Sequence, residues 1–184
     1  MIDFYNERRK QLLDVEPNAG HTGLAELEKD FNVTVVTQNV DNLHERAGST
    51  HVIHLHGELT KVCSSRDPYN PRYVRELKPE EYEVKMGDKA GDGSQLRPFI
   101  VWFGEAVPEI ETAIGYVEKA DIFVIIGTSM NVYPAAGLLN YVPRTAEVYL
   151  IDPKPVDTHS MRQIHVIQKG ASEGVKELKT EILH

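Results

Sequence analysis

Five compact apolar runs, each closed by a polar group, most constrain what this chain can fold into. The runs are NVTVVTQN, HVIHLHG, RPFIVWFGE, DIFVIIGTS and AEVYLID. Short apolar runs that break into polar residues are typical of buried parallel strands at their carboxyl ends. Two of the gaps between the runs, PEIETAIGYVEKA and YPAAGLLNYVP, have helical patterns. The alternation predicts an α/β fold, with an open parallel sheet and helices on both faces.

Two further helices are predicted ahead of the first run. Apolar residues at helical spacing in MIDFYNERRKQLLD indicate an amphipathic helix that ends before Pro17. Asn18 is a suitable cap for a second helix in GHTGLAELEKD. The stretch from about Leu59 to Leu96 instead carries turn signals and little apolar periodicity. It is predicted to be a small insertion, either a mobile surface excursion or a structured lid.

Composition excludes several classes of protein. A formal charge of -8 and a pI near 5.5 argue against nucleic acid or an anionic membrane as the main partner, since both require concentrated basic charge. The apolar runs are far shorter than the roughly 20 residues that cross a bilayer. The sequence MIDFYNERRK has no apolar signal core, so a cytoplasmic location is expected. The single cysteine, Cys63, allows neither an internal disulfide nor a cysteine-based zinc cluster.

Polar clusters follow each predicted strand. In open parallel sheets ligands bind beyond the carboxyl ends of the strands, so these clusters are expected to meet there. A Gly followed by two hydroxyl residues can offer backbone amides and hydroxyls to a phosphate or ribose, and Asp152 suits a ribose diol. The combination predicts a nucleotide ligand with at least one exposed sugar. The clusters are Gln38, Asn39 and Asp41; His56 and Gly57; Phe103 to Glu105; Gly127, Thr128 and Ser129; and Asp152.

Two histidines share the second run. His54 and His56 alternate with aliphatic residues, which predicts one strand with both imidazoles on the same face. Gly57 would let a ligand approach, and His56 could take a proton from a hydroxyl. A hydrogen-bonding role in the core is expected for His54. A zinc or iron site formed by the H-x-H pair with His44 or His51 is the alternative.

Four segments together resemble a known family. TQNVDNLHERAG, IHLHGEL, VWFGE and IIGTSMNVYPAA, in this order and at these separations, resemble the sirtuins, the NAD-dependent protein lysine deacylases. The resemblance implies a Rossmann-like sheet plus a small inserted module. It divides the chain into a helical segment over 1–30 that contributes to the acyl pocket, an NAD-binding core over 31–58 and 97–184, and the module over 59–96.

The resemblance also implies the chemistry and its residues. The acyl-lysine carbonyl oxygen attacks the ribose carbon that bears nicotinamide, and the acyl group ends on ADP-ribose. His56 is implied to be the general base, acting on a ribose hydroxyl. The residues implied to bind NAD are Gln38, Asn39, Val40, Asp41, Gly127, Thr128, Ser129, Asp152, Pro153, Lys154 and Ala171.

The substrate is implied to add as a β-strand between two segments of the chain. One is the FGE loop, which contains Val101, Phe103 and Gly104, and the other is Met130 to Val132. The residues implied to bind it are Val101, Phe103, Gly104 and Val132. For Val101 and Phe103, simple core packing is the alternative. Tyr5 and Arg8 lie three residues apart on one helical face and resemble the Tyr-x-x-Arg signature of sirtuins that prefer succinyl- and malonyl-lysine. An Arg can grip a carboxylate with two hydrogen bonds, although an ordinary surface helix would also explain the pair.

The sequence departs from the family pattern in two places. Only Cys63 stands near the expected four-cysteine zinc site, so no zinc is expected. A strand leading into a G-A-G-x-S segment and a T-F-R loop is also missing, which suggests a fragment or a start assigned at an internal Met. Without that central first strand, neighbouring strands would expose backbone groups, and weak NAD binding with slow turnover is expected.

The sequence therefore predicts an NAD-dependent deacetylase, desuccinylase or demalonylase that acts on acylated lysines of proteins. Two alternatives stay open. One is a non-catalytic module that binds ADP-ribose or an acylated peptide, and the other is a metal-dependent hydrolase. Neither nucleic acid nor membrane is an expected partner.

Overall fold

The computed structural model describes residues 1–128, 135–158 and 162–184. Its α-helices are α1 (Ile2–Leu13), α2 (Ala19–Glu26), α3 (Leu43–Arg46), α4 (Ile110–Val117) and α5 (Ala171–Ile182). Its strands are β1 (Val35–Thr37), β2 (Val52–His54), β3 (Gly57–Ser64), β4 (Arg75–Glu76), β5 (Leu96–Ile100), β6 (Ile122–Ile126), β7 (Glu147–Ile151) and β8 (His165–Ile167). Short 3-10 helices cover Leu27–Lys29, Pro71–Tyr73, Pro79–Glu81 and Ala135–Tyr141.

The chain forms two compact units. The first contains Met1–Glu16, Thr37–Leu43 and His54–Ala106, and the second contains Pro17–Val36, His44–Ile53 and Val107–His184. The domains predicted from the sequence are 1–30, 31–58 with 97–184, and 59–96. Their boundaries differ from those of the two units and stay predictions. The opening helix and the segment 59–96 belong to the same unit.

The second unit contains a parallel sheet, but only two of the five apolar runs, DIFVIIGTS and AEVYLID, lie in it, whereas NVTVVTQN and HVIHLHG supply the separate two-stranded sheet of β1 and β2. β6 pairs with β7 and β7 pairs with β8, all parallel, with Ile151 opposite both Ile126 and Ile167. Helix α5 covers β7 and buries Val175 and Leu178 against Ile151. The predicted α/β class is confirmed, although the sequence pattern did not predict β8 or α5.

The predicted helices are present with one change of type. Helix α1 ends before Pro17, and Asn18 caps α2 by accepting hydrogen bonds from the backbone of Gly20 (2.8 Å) and His21 (3.1 Å). The described part of YPAAGLLNYVP is a 3-10 helix, Ala135–Tyr141, rather than an α-helix. Across the described ranges no helix is long and apolar enough to span a bilayer.

The second apolar run is not a single strand. β1 and β2 form a two-stranded sheet in which Val35 N donates to His51 O (3.0 Å) and Leu55 N donates to Thr37 O (2.9 Å). Strand β2 ends at His54, and His56 lies in the turn that leads to β3. The expectation that His54 and His56 occupy one strand, with both rings on one face, is therefore wrong.

Strand β5 belongs to an antiparallel sheet. β3 pairs with β4 on one side and with β5 on the other, with Gly57 opposite Ile100 and Ser64 opposite Leu96. The prediction that RPFIVWFGE lies in the parallel sheet is therefore wrong. An apolar run indicates that a strand is buried but not whether it pairs in a parallel or an antiparallel direction. The chain turns before β3, and β3 then pairs with β5.

Gly57 has a structural task between β3 and β5. Its φ of +87° lies in the left-handed region, and an added Cβ would lie 2.1 Å from Phe99 O. The close approach is thus made by the β5 backbone, not by a ligand as the sequence argument supposed.

The segment 59–96 folds around a small core of its own. Val62, Leu77, Val84, Ala90 and Leu96 are buried together, and Ile2 of α1 packs against them. This packing favours the structured alternative over a mobile surface excursion, because a mobile segment would bury little apolar surface.

Two buried polar residues fix α1 to this segment. Asn6 exchanges two hydrogen bonds with the backbone of Val84, at 2.8 and 2.9 Å. Arg9, which is 3% exposed, donates to Tyr82 O (2.8 Å) and to Asn6 Oδ1 (2.6 Å). Burial lowers the pKa of Arg9, since desolvation disfavours its charged form. The face of α1 that carries Tyr5 is thereby held in a defined orientation.

A polar network ties the end of β3 to the turn before β5. Ser64 Oγ donates to Asp92 Oδ2 (2.6 Å), and Asp92 Oδ1 accepts from Ser94 N (3.0 Å) and Ser94 Oγ (2.7 Å). The hydrogen bonds from Ser64 and Ser94 lower the pKa of Asp92 from 3.8 to about 2. Neighbouring Cys63 is buried, and burial raises the pKa of its thiol to about 11, which disfavours the thiolate that zinc would bind. The absence of zinc stays a prediction.

Asp92→Asn is expected to destabilise the protein in a pH-dependent way. A carboxylate with a lowered pKa in the folded state stabilises above its unfolded pKa, and this contribution disappears as the pH falls from 3.8 towards 2. The free energies of unfolding of the wild type and Asp92→Asn, measured in urea, should therefore differ at neutral pH and become equal in acid. Glu80→Gln, an exposed substitution in the same segment, is the control and should show no such convergence. A constant difference between wild type and Asp92→Asn would contradict the assignment.

Candidate functional site

His56 lies between two backbone connections in the first unit. On its N-terminal side Leu55 N donates to Thr37 O (2.9 Å), and on its C-terminal side Leu59 N donates to Val40 O (2.7 Å). The His56 carbonyl itself accepts from Val101 N (3.0 Å). The segment 37–40, His56 and the start of the FGE loop are thus joined by main-chain hydrogen bonds.

The His56 ring is half-buried and available for chemistry. It has no hydrogen-bond partner among the residues that the structure describes. His54, by contrast, is 9% exposed and its Nδ1 lies 3.1 Å from Asn39 O. The predicted hydrogen-bonding role of His54 is confirmed, and His56 keeps both ring nitrogens for a ligand.

The segment 37–42 presents polar groups beside this histidine. A hydrogen bond from Asn39 N to Thr37 Oγ1 (3.0 Å) turns the chain after β1, and Asp41 Oδ1 accepts from Leu43 N (3.0 Å) at the start of α3. Asn39 is exposed, whereas Gln38, Val40 and Asp41 are half-buried. The Oδ1 atom of Asn42 is buried without a partner among the described residues. These backbone and amide groups suit an amide or hydroxyl ligand.

A groove of about 570 Å³ opens in the same unit between α1 and the FGE loop. Its lining residues are Met1, Phe4, Tyr5, Val101, Trp102 and Phe103. Phe103 is fully exposed and Val101 is half-buried, so core packing is excluded for Phe103. The apolar lining with one phenol fits an acyl chain that carries a polar end.

Tyr5 and Arg8 differ in their relation to this groove. Tyr5 lines it, but Arg8 does not. The Arg8 guanidinium lies 5.1 Å from the ring centroid of Phe4, which does line the groove, and Nη1 donates to Gln11 Oε1 at 3.3 Å. Arg8 is exposed and adjoins the groove at Phe4. A change of its side-chain torsions would be needed for it to contact a bound acyl group.

An ion pair holds the FGE loop. Arg97 donates to both carboxylate oxygens of Glu105, at 2.8 and 3.0 Å, and Glu105 Oε2 also accepts from Trp102 N at 2.9 Å. The hydrogen bond from Arg97 lowers the pKa of Glu105 against the opposing effect of burial. The sequence analysis did not single out Arg97. A basic and an acidic residue that bracket one apolar run, as in RPFIVWFGE, were the available signal.

In the second unit three strand ends carry the predicted dinucleotide residues. Gly127 N donates to Ile151 O (3.0 Å), and Asp152 N donates to Ile167 O (3.2 Å), so the ends of β6, β7 and β8 are adjacent. Asp152 is 9% exposed and accepts from Lys154 N (2.8 Å). Pro153 and Lys154 are exposed, and Ala171 is the first residue of α5.

Gly127 and Thr128 leave room and bonding capacity for a ligand. Gly127 has φ +62°, and no atom of the described residues lies within 4 Å of the position that a Cβ would take. Thr128 Oγ1 is buried with no partner in the described ranges. Ser129 and Val132, also predicted site residues, lie outside the described residues.

Known proteins resemble the chain along most of its length. The sequence model of the Sir2 family matches residues 2–134. An NAD-dependent protein deacylase of Bacteroides thetaiotaomicron is 84% identical over 179 residues, which are 97% of this chain and 76% of the relative. A Helicobacter pylori protein of the same description is 48% identical over 183 residues, covering 100% of this chain and 77% of the relative.

Solved structures resemble the fold as well. A Sir2 homologue in complex with NAD superimposes with a TM-score of 0.83 at 34% identity, over 99% of this chain and 71% of the other. A Sir2 complex with a p53 peptide and NAD⁺ gives a TM-score of 0.74 at 30% identity, over 93% of this chain and 72% of the other. With the family match extending over residues 2–134, these similarities show that the chain belongs to the Sir2 family.

Proposed function

We propose that this chain is an NAD-dependent protein lysine deacylase. The observation that carries the proposal is His56, a half-buried imidazole without a partner in the described residues, joined by its backbone to the segment 37–40 and to Val101 beside the groove. The family membership and the names of its relatives support the same activity.

The described residues fit a dinucleotide. Thr128 Oγ1 is a buried polar atom without a partner among the described residues, and the space that these residues leave open at Gly127 would admit a phosphate or ribose. The family resemblance supports adenosine binding by Asp152 and Lys154 in the second unit, and binding of the nicotinamide ribose and carboxamide by Asn39 and Asp41 in the first unit. When bound, NAD supplies the ribose carbon that receives the acyl oxygen as nicotinamide leaves.

The chain's own residues would position the acylated peptide and remove a proton from a ribose hydroxyl. His56 would take a proton from a ribose hydroxyl, because its ring nitrogens are not engaged by any described residue. The groove beside Tyr5 and Val101 would hold the acyl chain. The peptide backbone would pair with the FGE loop as an added strand, a role in which Gly104 leaves space because no described atom lies within 4 Å of its Cβ position.

We further propose a preference for acidic acyl groups, which rests on Tyr5 in the groove and Arg8 beside Phe4. Arg8→Met is expected to lower kcat/KM for a succinyl-lysine peptide by about 10- to 100-fold, because a hydrogen bond to a charged group contributes about 1.5–3 kcal/mol. Turnover of the matching acetyl-lysine peptide should change little. Nicotinamide release with the two peptides gives the comparison.

Lys10→Met, an exposed substitution on the same helix, controls for loss of surface charge and should leave both peptides unaffected. Equal losses with the succinyl and acetyl peptides would exclude a carboxylate-binding role for Arg8.

Two other functions can be separated by experiment. A binding module without turnover would bind ADP-ribose in calorimetry yet release no nicotinamide from NAD. A metal-dependent hydrolase would retain bound metal in elemental analysis and would deacylate without NAD. His51 Nδ1 hydrogen-bonds with Thr34 Oγ1 (2.9 Å) and His54 Nδ1 with Asn39 O (3.1 Å), an arrangement that metal-bound histidines also show, so elemental analysis decides between the two functions. A cytoplasmic location and the absence of nucleic-acid and membrane partners stay predictions from composition.

A further inference from the structure

A buried cation organises the loop that forms one wall of the groove. Arg97 is 7% exposed and lies on β5, immediately before Pro98. Its Nη2 donates to Ile100 O (2.7 Å) as well as to Glu105, so one guanidinium contacts the residues on both sides of the loop 101–104. These four residues supply three of the groove's lining side chains.

The same guanidinium fixes the middle of the loop. Its Cζ lies 3.7 Å from the ring centroid of Trp102, a cation–π distance. Glu105 closes the loop from the other end, since its Oε2 accepts from Trp102 N (2.9 Å) and its own N donates to Trp102 O (3.0 Å). Gly104, with φ +86°, permits the tight turn between them.

We propose that Arg97 is a positioning residue that holds the loop 101–104 through Glu105 and Trp102, and thereby sets the affinity for the acylated peptide. The proposal rests on the proposed function, because the groove is taken to be the acyl site. Arg97 acts through its neighbours and is not assigned a contact with substrate.

The geometry explains why a lysine could not replace this arginine. A guanidinium presents parallel donors to both carboxylate oxygens and a flat face to the indole, whereas an ammonium is a point charge. Removal of one partner also leaves the other charge in a partly buried place without compensation. Without these contacts, the backbone of the loop 101–104, which includes Gly104, could adopt many conformations and would no longer form one wall of the groove.

The first test uses fluorescence and needs no activity. Trp102 is the only tryptophan in the sequence, so emission excited selectively from tryptophan reports on this loop alone. Arg97→Met and Glu105→Gln are expected to shift the emission to longer wavelength and to increase quenching by acrylamide. Glu105→Gln is included in case Arg97→Met fails to fold. Glu105 is more exposed than Arg97, and the glutamine keeps the shape of the glutamate side chain. Arg75→Met breaks the exposed ion pair with Glu81 and is the matched control.

The second test measures acyl-peptide binding and turnover. Glu105→Gln and Arg97→Lys are expected to raise the peptide Kd, and the KM where turnover is measured, by about tenfold, which corresponds to the loss of one charged hydrogen bond. Affinity for ADP-ribose and kcat at saturating peptide should stay near the wild-type values. A raised peptide Kd with unchanged ADP-ribose affinity and kcat indicates a positioning role. General destabilisation would instead weaken the binding of both ligands and lower kcat.

The outcomes distinguish this inference from the proposed function. Unchanged Trp102 emission in both variants, or a shift without loss of peptide affinity, overturns the role of Arg97. A wild-type protein that binds the peptide but releases no nicotinamide contradicts the enzymatic proposal, while the fluorescence and peptide-affinity results still decide whether Arg97 holds the wall.

Discussion

His56→Ala should lower the single-turnover rate of deacylation by about 10²- to 10⁴-fold, the range expected for loss of a general base. The ring is half-buried and hydrogen-bonded to no described residue, so its removal breaks no side-chain bond within the described structure. ADP-ribose affinity should change little, because the dinucleotide residues Gly127, Thr128 and Asp152 are untouched. Formation of the free-lysine peptide in a single turnover and ADP-ribose calorimetry provide the two measurements.

His165→Ala is the matched control for this substitution. His165 is exposed and stacks on Tyr149, with ring centroids 4.8 Å apart, so its removal tests the loss of a surface imidazole. Its turnover should equal that of the wild type. If His56→Ala retained the wild-type rate, the imidazole would not be the base, and the backbone connections around it would be structural only.

Gly57→Ala should lower the free energy of unfolding by about 3 kcal/mol or more, from a strained positive φ and forced repacking together. A Cβ at this position would lie 2.1 Å from Phe99 O, so β3 and β5 would have to separate. The change should also impair turnover, because the neighbouring His56 carbonyl holds Val101 N at 3.0 Å. Urea unfolding followed by circular dichroism measures the stability.

Gly115→Ala is the control for Gly57→Ala. Gly115 lies inside α4 with nothing within 4 Å of its Cβ position, so alanine should be neutral or stabilise by up to about 1 kcal/mol. Similar unfolding curves for the two variants would show that the β3–β5 approach at Gly57 is looser than the structure indicates.

The sequence predicted the parallel part of the fold because that part is encoded locally. Runs such as DIFVIIGTS and AEVYLID are almost wholly apolar and then stop at polar groups, so the strand ends at Gly127 and Asp152 could be located in advance. The cap at Asn18 was readable for the same reason, since it depends on residues within three positions.

The errors concern contacts between distant residues. His56 seemed to continue a strand because alternation does not reveal a turn, and Gly57 was assigned to a ligand because its true neighbour is Phe99, 42 positions later. Arg97 was missed because a cation before a proline is typical of a surface, whereas here Glu105 and Trp102 make its burial possible. Asn6 and Arg9 were missed because their partners are backbone groups near positions 82–84.

Identification of the acylated product tests the central claim most directly. The purified protein, in excess over a succinyl-lysine peptide, is incubated with NAD, and the products are analysed by mass spectrometry. The proposed function predicts nicotinamide, free-lysine peptide and O-succinyl-ADP-ribose in equal amounts, with the free-lysine peptide and O-succinyl-ADP-ribose formed far more slowly by His56→Ala. Removal of the succinyl group without NAD, or its release as free succinate with no acylated ADP-ribose at any time, would contradict transfer to the nucleotide.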